Sequence, residues 1–284
     1  MRMKYRFTAL ATWILALLLA GCAQTGTVPS RVLPTSESPV PRPQPSSVGR
    51  DIATQSDESE TRRRARIRLE LATAYYTRGD LRTALDEVKQ VLAIEPGFSD
   101  AMELRGLIYD LMGEPVLAEE SFRRASQLDP RNGSVSHNHG WYLCRKQRYT
   151  EADAMFDRAL TLPSSVSPAK TLLVKGVCQM RDGRATDAEK TLARAYEQEP
   201  SNPATAYNLA LALYVNGNVE RARFYIRRVN NVPEQANPES LWLGIRIAHK
   251  LHNSAEKEEL ASLLRNKFPN AREINSLELG RFDE

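Results

Sequence analysis

From about residue 65 onward, apolar and small side chains recur three and four positions apart, which is the spacing of one face of a helix. The pattern breaks at four similar places: "AIEPGFSD" at Pro96, "QLDPRNGS" at Pro130, "TLPSSVSP" near Pro163 and "EQEPSNPA" at Pro200. Proline cannot continue a helix interior, so each break ends one helical stretch and begins another. Between breaks the apolar positions fall into two runs separated by a glycine or a polar turn, so the elements predicted are helical hairpins.

The first two prolines lie 34 residues apart, the period of the tetratricopeptide repeat. The small and large positions keep the same phase. In the second unit they are Met102, Gly106 and Tyr109, then Gly113 at the turn, then Ala118, Phe122, Ala125 and Pro130. The first unit places Ala72, Tyr75, Gly79, Ala84 and Pro96 to match; the third places Gly140, Leu143, Ala152, Phe156 and Ala159. The fourth has Leu172, Gly176, Gly183, Ala188, Leu192, Ala195 and Pro200, and the fifth Ala210, Leu213, Gly217 and Ala222. Small residues let two helices touch while large ones fill the holes around them. With two extra residues between the third and fourth units, repeats start near 65, 99, 133, 169, 203 and 237. The sixth is divergent, with helices over Pro238 to Lys250 and Ala255 to Lys267 and a terminating Pro269. The expected fold is all-α, a right-handed superhelix of about six tetratricopeptide hairpins over residues 61–270, preceded by a disordered tether and followed by an acidic-ended tail, 271–284.

The N-terminus changes the picture of where this superhelix works. Arg2, Lys4 and Arg6 precede an apolar run from Phe7 to Leu19 that is too short to span a bilayer comfortably, the layout of a secretory signal peptide over residues 1–21. Its ending, Leu19-Ala20-Gly21-Cys22, resembles the lipobox of bacterial lipoproteins. That resemblance implies cleavage before Cys22, acylation of Cys22 and anchoring in a membrane; Ala23, where an Asp would signal inner-membrane retention, implies the periplasmic face of the outer membrane. From Ala23 to about Glu60 the chain holds six prolines, many serines and few large apolar residues. Such a composition builds no core and reads as a linker, residues 22–60 with the acylated cysteine, reaching roughly 30 to 40 Å as a flexible chain.

Composition is otherwise ordinary for a folded domain, with 42% apolar and 26% charged residues, so it names no function. The formal charge of +4 falls to +1 once residues 1–21, with three basic and no acidic residues, are removed. Nucleic acid therefore loses its global support as a partner. The basic run "TRRRARIR", Thr61 to Arg68, reads either as the solvated start of the first helix or as a contact for anionic lipid.

Candidate chemistry gathers in "SHNHGWYLC", Ser136 to Cys144. On a helix, His137 and His139 point in widely different directions and cannot chelate one metal together. Cys144 and Cys178 lie 34 residues apart, in the first helices of adjacent repeats, which lie side by side. With Cys22 consumed by lipid they form one even pair in an oxidising compartment, so a disulfide is predicted. No glycine-rich phosphate loop, GxSxG or HExxH is present; neither an enzyme, a metal nor a cofactor is expected.

In tetratricopeptide repeats the second, fifth, ninth, twelfth and thirteenth positions line the concave groove. By that count His137, Trp141, Cys144 and Arg145 face it, with Leu173, Val177 and Met180 of the fourth repeat and Tyr207, Leu211 and Tyr214 of the fifth. Such a surface suits an extended or helical peptide; the alternative is that these side chains pack on one another or on the next repeat.

A narrower resemblance is carried by "HNHGWYLCRKQRYTEADAMFDRAL", "LLVKGVCQMRDGRATDAEKTLARA" and, where the repeat consensus fails, "ESLWLGIRIAHKLHN" followed by "LLRNKFPNAREINSL". Over roughly residues 65–277 the chain resembles the type IV pilus biogenesis and stability lipoproteins, often called pilotins. The resemblance implies a six-repeat outer-membrane lipoprotein that binds the pilus secretin subunit and assists its localisation and multimerisation, or pilus stability. Some members also pair the two cysteines matching Cys144 and Cys178. A monomer is expected. Tetratricopeptide lipoproteins of tight-adherence pili or of peptidoglycan-synthase activation share the lipobox and repeats but not this ending.

Overall fold

The computed structural model describes residues 59–282. The signal segment 1–21, Cys22 and nearly all of the linker 22–60 lie outside them. Among the described residues there are 13 helices and no strand.

Six hairpins follow one another in chain order. They pair α1 (Glu60–Thr77) with α2 (Leu81–Ile94), α3 (Ser99–Leu111) with α4 (Pro115–Leu128), and α5 (Gly133–Arg145) with α6 (Tyr149–Thr161). They continue with α7 (Pro168–Arg181) and α8 (Ala185–Gln198), α9 (Pro203–Val215) and α10 (Val219–Asn230), and α11 (Pro238–Lys250) and α12 (Ser254–Lys267). The first helix begins at Glu60, five residues before the phase of the other repeats. Ser59 caps it there, its side chain accepting from the Arg62 amide. The basic run is consequently helical. Arg62 pairs with Glu95, Arg66 with Glu70 at 2.8 Å and Arg68 with Glu87 at 2.6 Å, tying α1 to itself and to α2.

Local sequence explains most helix ends. Asn132, Ser167, Asn202 and Asn237 each accept amide hydrogen bonds at the start of a first helix, and proline stands just inside α7, α9 and α11. Each hairpin turns on one residue with a left-handed backbone. Gly79, Gly113, Gly183 and Gly217 supply it at φ between 75° and 82°; Gln147 and His252, at φ 62° and 56°, occupy the same place in the third and sixth repeats.

The hairpins close on small residues. A Cβ added to Gly176 would lie 2.5 Å from Leu192 Cγ, and one on Gly140 would lie 2.9 Å from the Phe156 ring. The large side chains that fill these contacts, Phe122, Phe156, Leu192 and Ile226, come from the second helices and are fully buried. Successive first helices pack backbone to backbone from α1 through α11, whereas second helices meet through long side chains, as Arg221 with Glu189 and Tyr196 with Tyr225. The first helices therefore form the inner layer of a tetratricopeptide superhelix, and their free faces make its concave surface.

The tail is more than an end. Residues Arg272–Glu278 form a thirteenth helix, α13, which packs on α11 and α12. Leu277, Ile274 and Phe282 cover Leu241, Ile245 and Leu264, so the last hairpin has an apolar cap.

Candidate protein-binding face

The helix α5, read as a stripe of groove residues, sends its side chains in several directions. His137 is only 9% exposed: its Nδ1 is hydrogen-bonded to Thr171 Oγ1 of α7 at 3.0 Å and its ring meets Phe156 edge-on. His139 points the other way and stacks on Phe122 of α4, centroid to centroid 5.1 Å. Burial lowers the pKa of both imidazoles, so both are neutral near pH 7. Among the described residues no group of three or more His, Cys, Asp or Glu side chains could hold a metal ion.

Cys144 and Cys178 are joined in a disulfide between α5 and α7, their Cα atoms 5.8 Å apart, and both are buried. Cys144 thus staples repeats three and four and presents nothing to the groove. Tyr214 is likewise buried, with the Arg246 guanidinium 4.9 Å above its ring. For His137, Cys144 and Tyr214 the expectation of an open groove position is corrected. The inner layer is packed tightly enough that the next first helix covers the fifth and twelfth positions wherever they hold residues that bond or stack across it.

Other expected positions remain partly open. Trp141 is half-buried beneath the Arg181 guanidinium, 4.8 Å from its ring centre. Arg145 is exposed at its base and pairs with the buried carboxylate of Asp110, which Lys146 also meets at 3.2 Å. Leu173, Met180, Tyr207 and Leu211 are half-buried and pack on the core shared by repeats four to six, and Val177 is half-buried as well. Cys22 lies outside the described residues.

A deep concavity lies further toward the N-terminus, where no site was expected. A cavity of about 720 Å³ opens between α1, α3, α5 and the α6–α7 connection. Leu69, Tyr76, Leu104 and Leu107 make its apolar wall; Asp100, Glu103 and Asn138 make its polar floor. The connection Leu162 to Val166 closes one side. Its Pro163 carbonyl accepts from the Gly133 amide at 2.7 Å, and Ser134 Oγ lies 2.8 Å from Ser165 Oγ and 3.2 Å from Ser164 Oγ. Gly133 is required there, since a Cβ would stand 2.8 Å from that carbonyl. The two extra residues between repeats three and four, legible in the sequence only as a change of spacing, thus form a wall of the cavity. The floor was legible too. The count that picked out Trp141, applied to the first two repeats, gives Leu69, Thr73 and Tyr76, then Asp100, Glu103 and Leu107.

Comparison with known proteins follows the architecture. Tetratricopeptide repeat models match residues 69–133, 137–203 and 179–241. The type IV pilus assembly protein PilF of Pseudomonas aeruginosa is 25% identical over 213 residues, covering 74% of this chain and 83% of that protein. A DnaJ subfamily C member 3 homolog of Dictyostelium discoideum is also 25% identical, but over 42% of its own length. The crystal structure of PilW, a type IV pilus biogenesis factor, superposes with a TM-score of 0.69 at 29% identity, covering 79% of this chain and 99% of PilW. That of Pseudomonas aeruginosa PilF gives 0.68 at 22%, covering 78% and 100%. Repeat models spanning most of the hairpins, on hairpins that stack as such repeats do, establish that the chain belongs to the tetratricopeptide repeat family, in which it is homologous to PilF and alike in structure to PilW.

Proposed function

We propose that this protein is a binding scaffold of type IV pilus biogenesis, a pilotin that holds a secretin subunit on its concave face. The observation that carries the reading is the coverage of PilW. Nearly all of that chain superposes on this one, over 79% of the length of this chain.

Acylation at Cys22 and the linker would hold the scaffold at the outer membrane, on its periplasmic face. Tethering then converts a weak contact between scaffold and subunit into a local one, with avidity gains of roughly a hundredfold or more. Multimerisation of the secretin follows from concentration and orientation, and no bond is made or broken.

Deletion of the gene is the direct test. Loss of heat-resistant secretin oligomers on gels, with loss of twitching and surface pili, is the expected outcome; normal oligomers with normal piliation sink the assignment. Cys22→Ala separates the anchor from the scaffold, because the variant should leave the outer-membrane fraction and stay folded. Sedimentation with that fraction as before would overturn the anchor.

A further inference from the structure

The cavity between α1, α3 and α5 is lined by Glu103 and Asp100, neither of which forms an ion pair among the described residues. Glu103 is 8% exposed and sits on its floor. Asn138 Nδ2 donates to its Oε1, and among the described residues no cation pairs with it. Asp100, one turn earlier on α3, accepts from Asn132 Nδ2 at 2.9 Å and Ser99 Oγ at 3.2 Å, again without an ion pair. This is unusual for the molecule. The other buried acid of the inner layer, Asp110, is met by both Arg145 and Lys146.

A carboxylate taken out of water without a counter-charge is costly, and the cost appears as protonation. Burial, with the Asp100 charge adding to it, pushes the Glu103 carboxyl up to about 7, against the pull of the Asn138 hydrogen bond. Asp129 and Arg131 also line the cavity. Three carboxylates and one guanidinium thus line the cavity, with Arg62 and Arg66 beside Asp100 in the adjoining hollow. The remaining lining is apolar on the α1 and α3 side and hydroxyl-bearing along Ser134, Ser164 and Ser165. A ligand that fits must bring a cation on an apolar stem.

We infer that this cavity is a specificity pocket for a lysine or arginine side chain of an extended peptide segment of the partner. The aliphatic stem lies along Leu69 and Leu107, and the cationic head meets Glu103 and Asp100. The inference rests on the scaffold reading given above. A peptide is the favoured occupant over a free amine because the cavity is much larger than one side chain and opens on the concave face, which continues toward Trp141. Amphipathic stems of this kind keep their apolar length on protein while the head finds a charge.

The test uses the full-length chain and four fluorescein-labelled heptapeptides, Gly-Ser-Leu-X-Leu-Ser-Gly, with lysine, arginine, norleucine or glutamate at X, read by fluorescence polarisation. Lysine and arginine peptides should bind about tenfold tighter than the norleucine peptide, the gain of one charge-assisted contact. Glu103→Gln should abolish that preference, and the exposed Asp100→Asn should reduce it severalfold without threatening the fold. Glu114→Gln, at the α3–α4 turn, should leave it unchanged. Equal binding of all four peptides, preference for glutamate, no binding at millimolar peptide, or full preference retained in folded Glu103→Gln and Asp100→Asn would each overturn the pocket. Displacement of the lysine peptide by free N-acetyl-lysine amide at equal concentration would overturn its assignment to a peptide. None of these outcomes alters the oligomer and piliation phenotypes on which the scaffold reading depends.

Discussion

A single carboxylate decides much of the electrostatics of the concave face. The Glu103 carboxyl titrates near 7 in the folded chain against 4.5 as its unperturbed value, so folding favours its protonated form. The associated stability is fully present below about pH 4.5 and is lost as pH rises through 7. Glu103→Gln keeps the acceptor for Asn138 and removes the charge. The variant should match the wild type at about pH 4 and exceed it by about 2 to 4 kcal/mol at about pH 8, at about 1.4 kcal/mol per pKa unit. Urea unfolding at the two pH values measures this, and an equal difference at both would refute it. His137 and His139 act in the opposite sense. Their pKa values are depressed by burial, so their contribution is present above pH 6.5 and is lost as pH falls through the folded values. Because both chains carry them, they cancel in the comparison. The sequence placed Glu103 on the face of a helix, but its burial depends on α1 and α5 lying against it.

At the scale of the hairpin, two kinds of position set stability in opposite directions. The helices α7 and α8 meet where Gly176 faces Leu192, and a Cβ there would come within 2.5 Å of a side chain that is fully buried. Gly176→Ala should cost about 1 to 3 kcal/mol through overpacking, despite the better helix propensity of alanine. The α5–α6 turn offers the reverse. Gln147 is exposed and holds φ at 62°, where four of the other turns have glycine. Gln147→Gly should stabilise by about 0.5 to 1 kcal/mol, because removing the Cβ relieves more than the added chain entropy costs. Thermal melts of the two variants should shift in opposite directions from the wild type. Both positions are visible in the sequence as members of a 34-residue pattern, one obeying it and one departing from it. The seven-residue α13 was not visible, since two turns are too few to carry a period.

At the scale of the whole chain, a solenoid is stabilised by contacts between neighbours, and its last unit needs an outer face that water tolerates. Here α13 and Phe282 provide that face, with Arg246 Nε donating to the Phe282 carbonyl at 2.9 Å and the Phe282 ring lying 4.4 Å from that of His249. Truncation after Phe268 should expose Leu241, Ile245 and Leu264. The expected result is rapid hydrogen exchange in α11 and α12, while α3 to α8 stay protected. Unchanged exchange in the sixth hairpin would show that the cap is dispensable. The sequence by itself determined the repeat, its phase and the place of each hairpin, because these follow from helical periodicity, glycine turns and proline breaks acting within a few residues. It also placed Cys144 and Cys178 in the first helices of adjacent repeats. Only the tertiary structure decided which concave positions stay open. His137 and Tyr214 are covered by residues more than thirty positions away, Thr171 and Arg246. The acidic cavity exists because α1, α3, α5 and the lengthened α6–α7 connection converge; burial and desolvation belong to that convergence, and no local pattern encodes them.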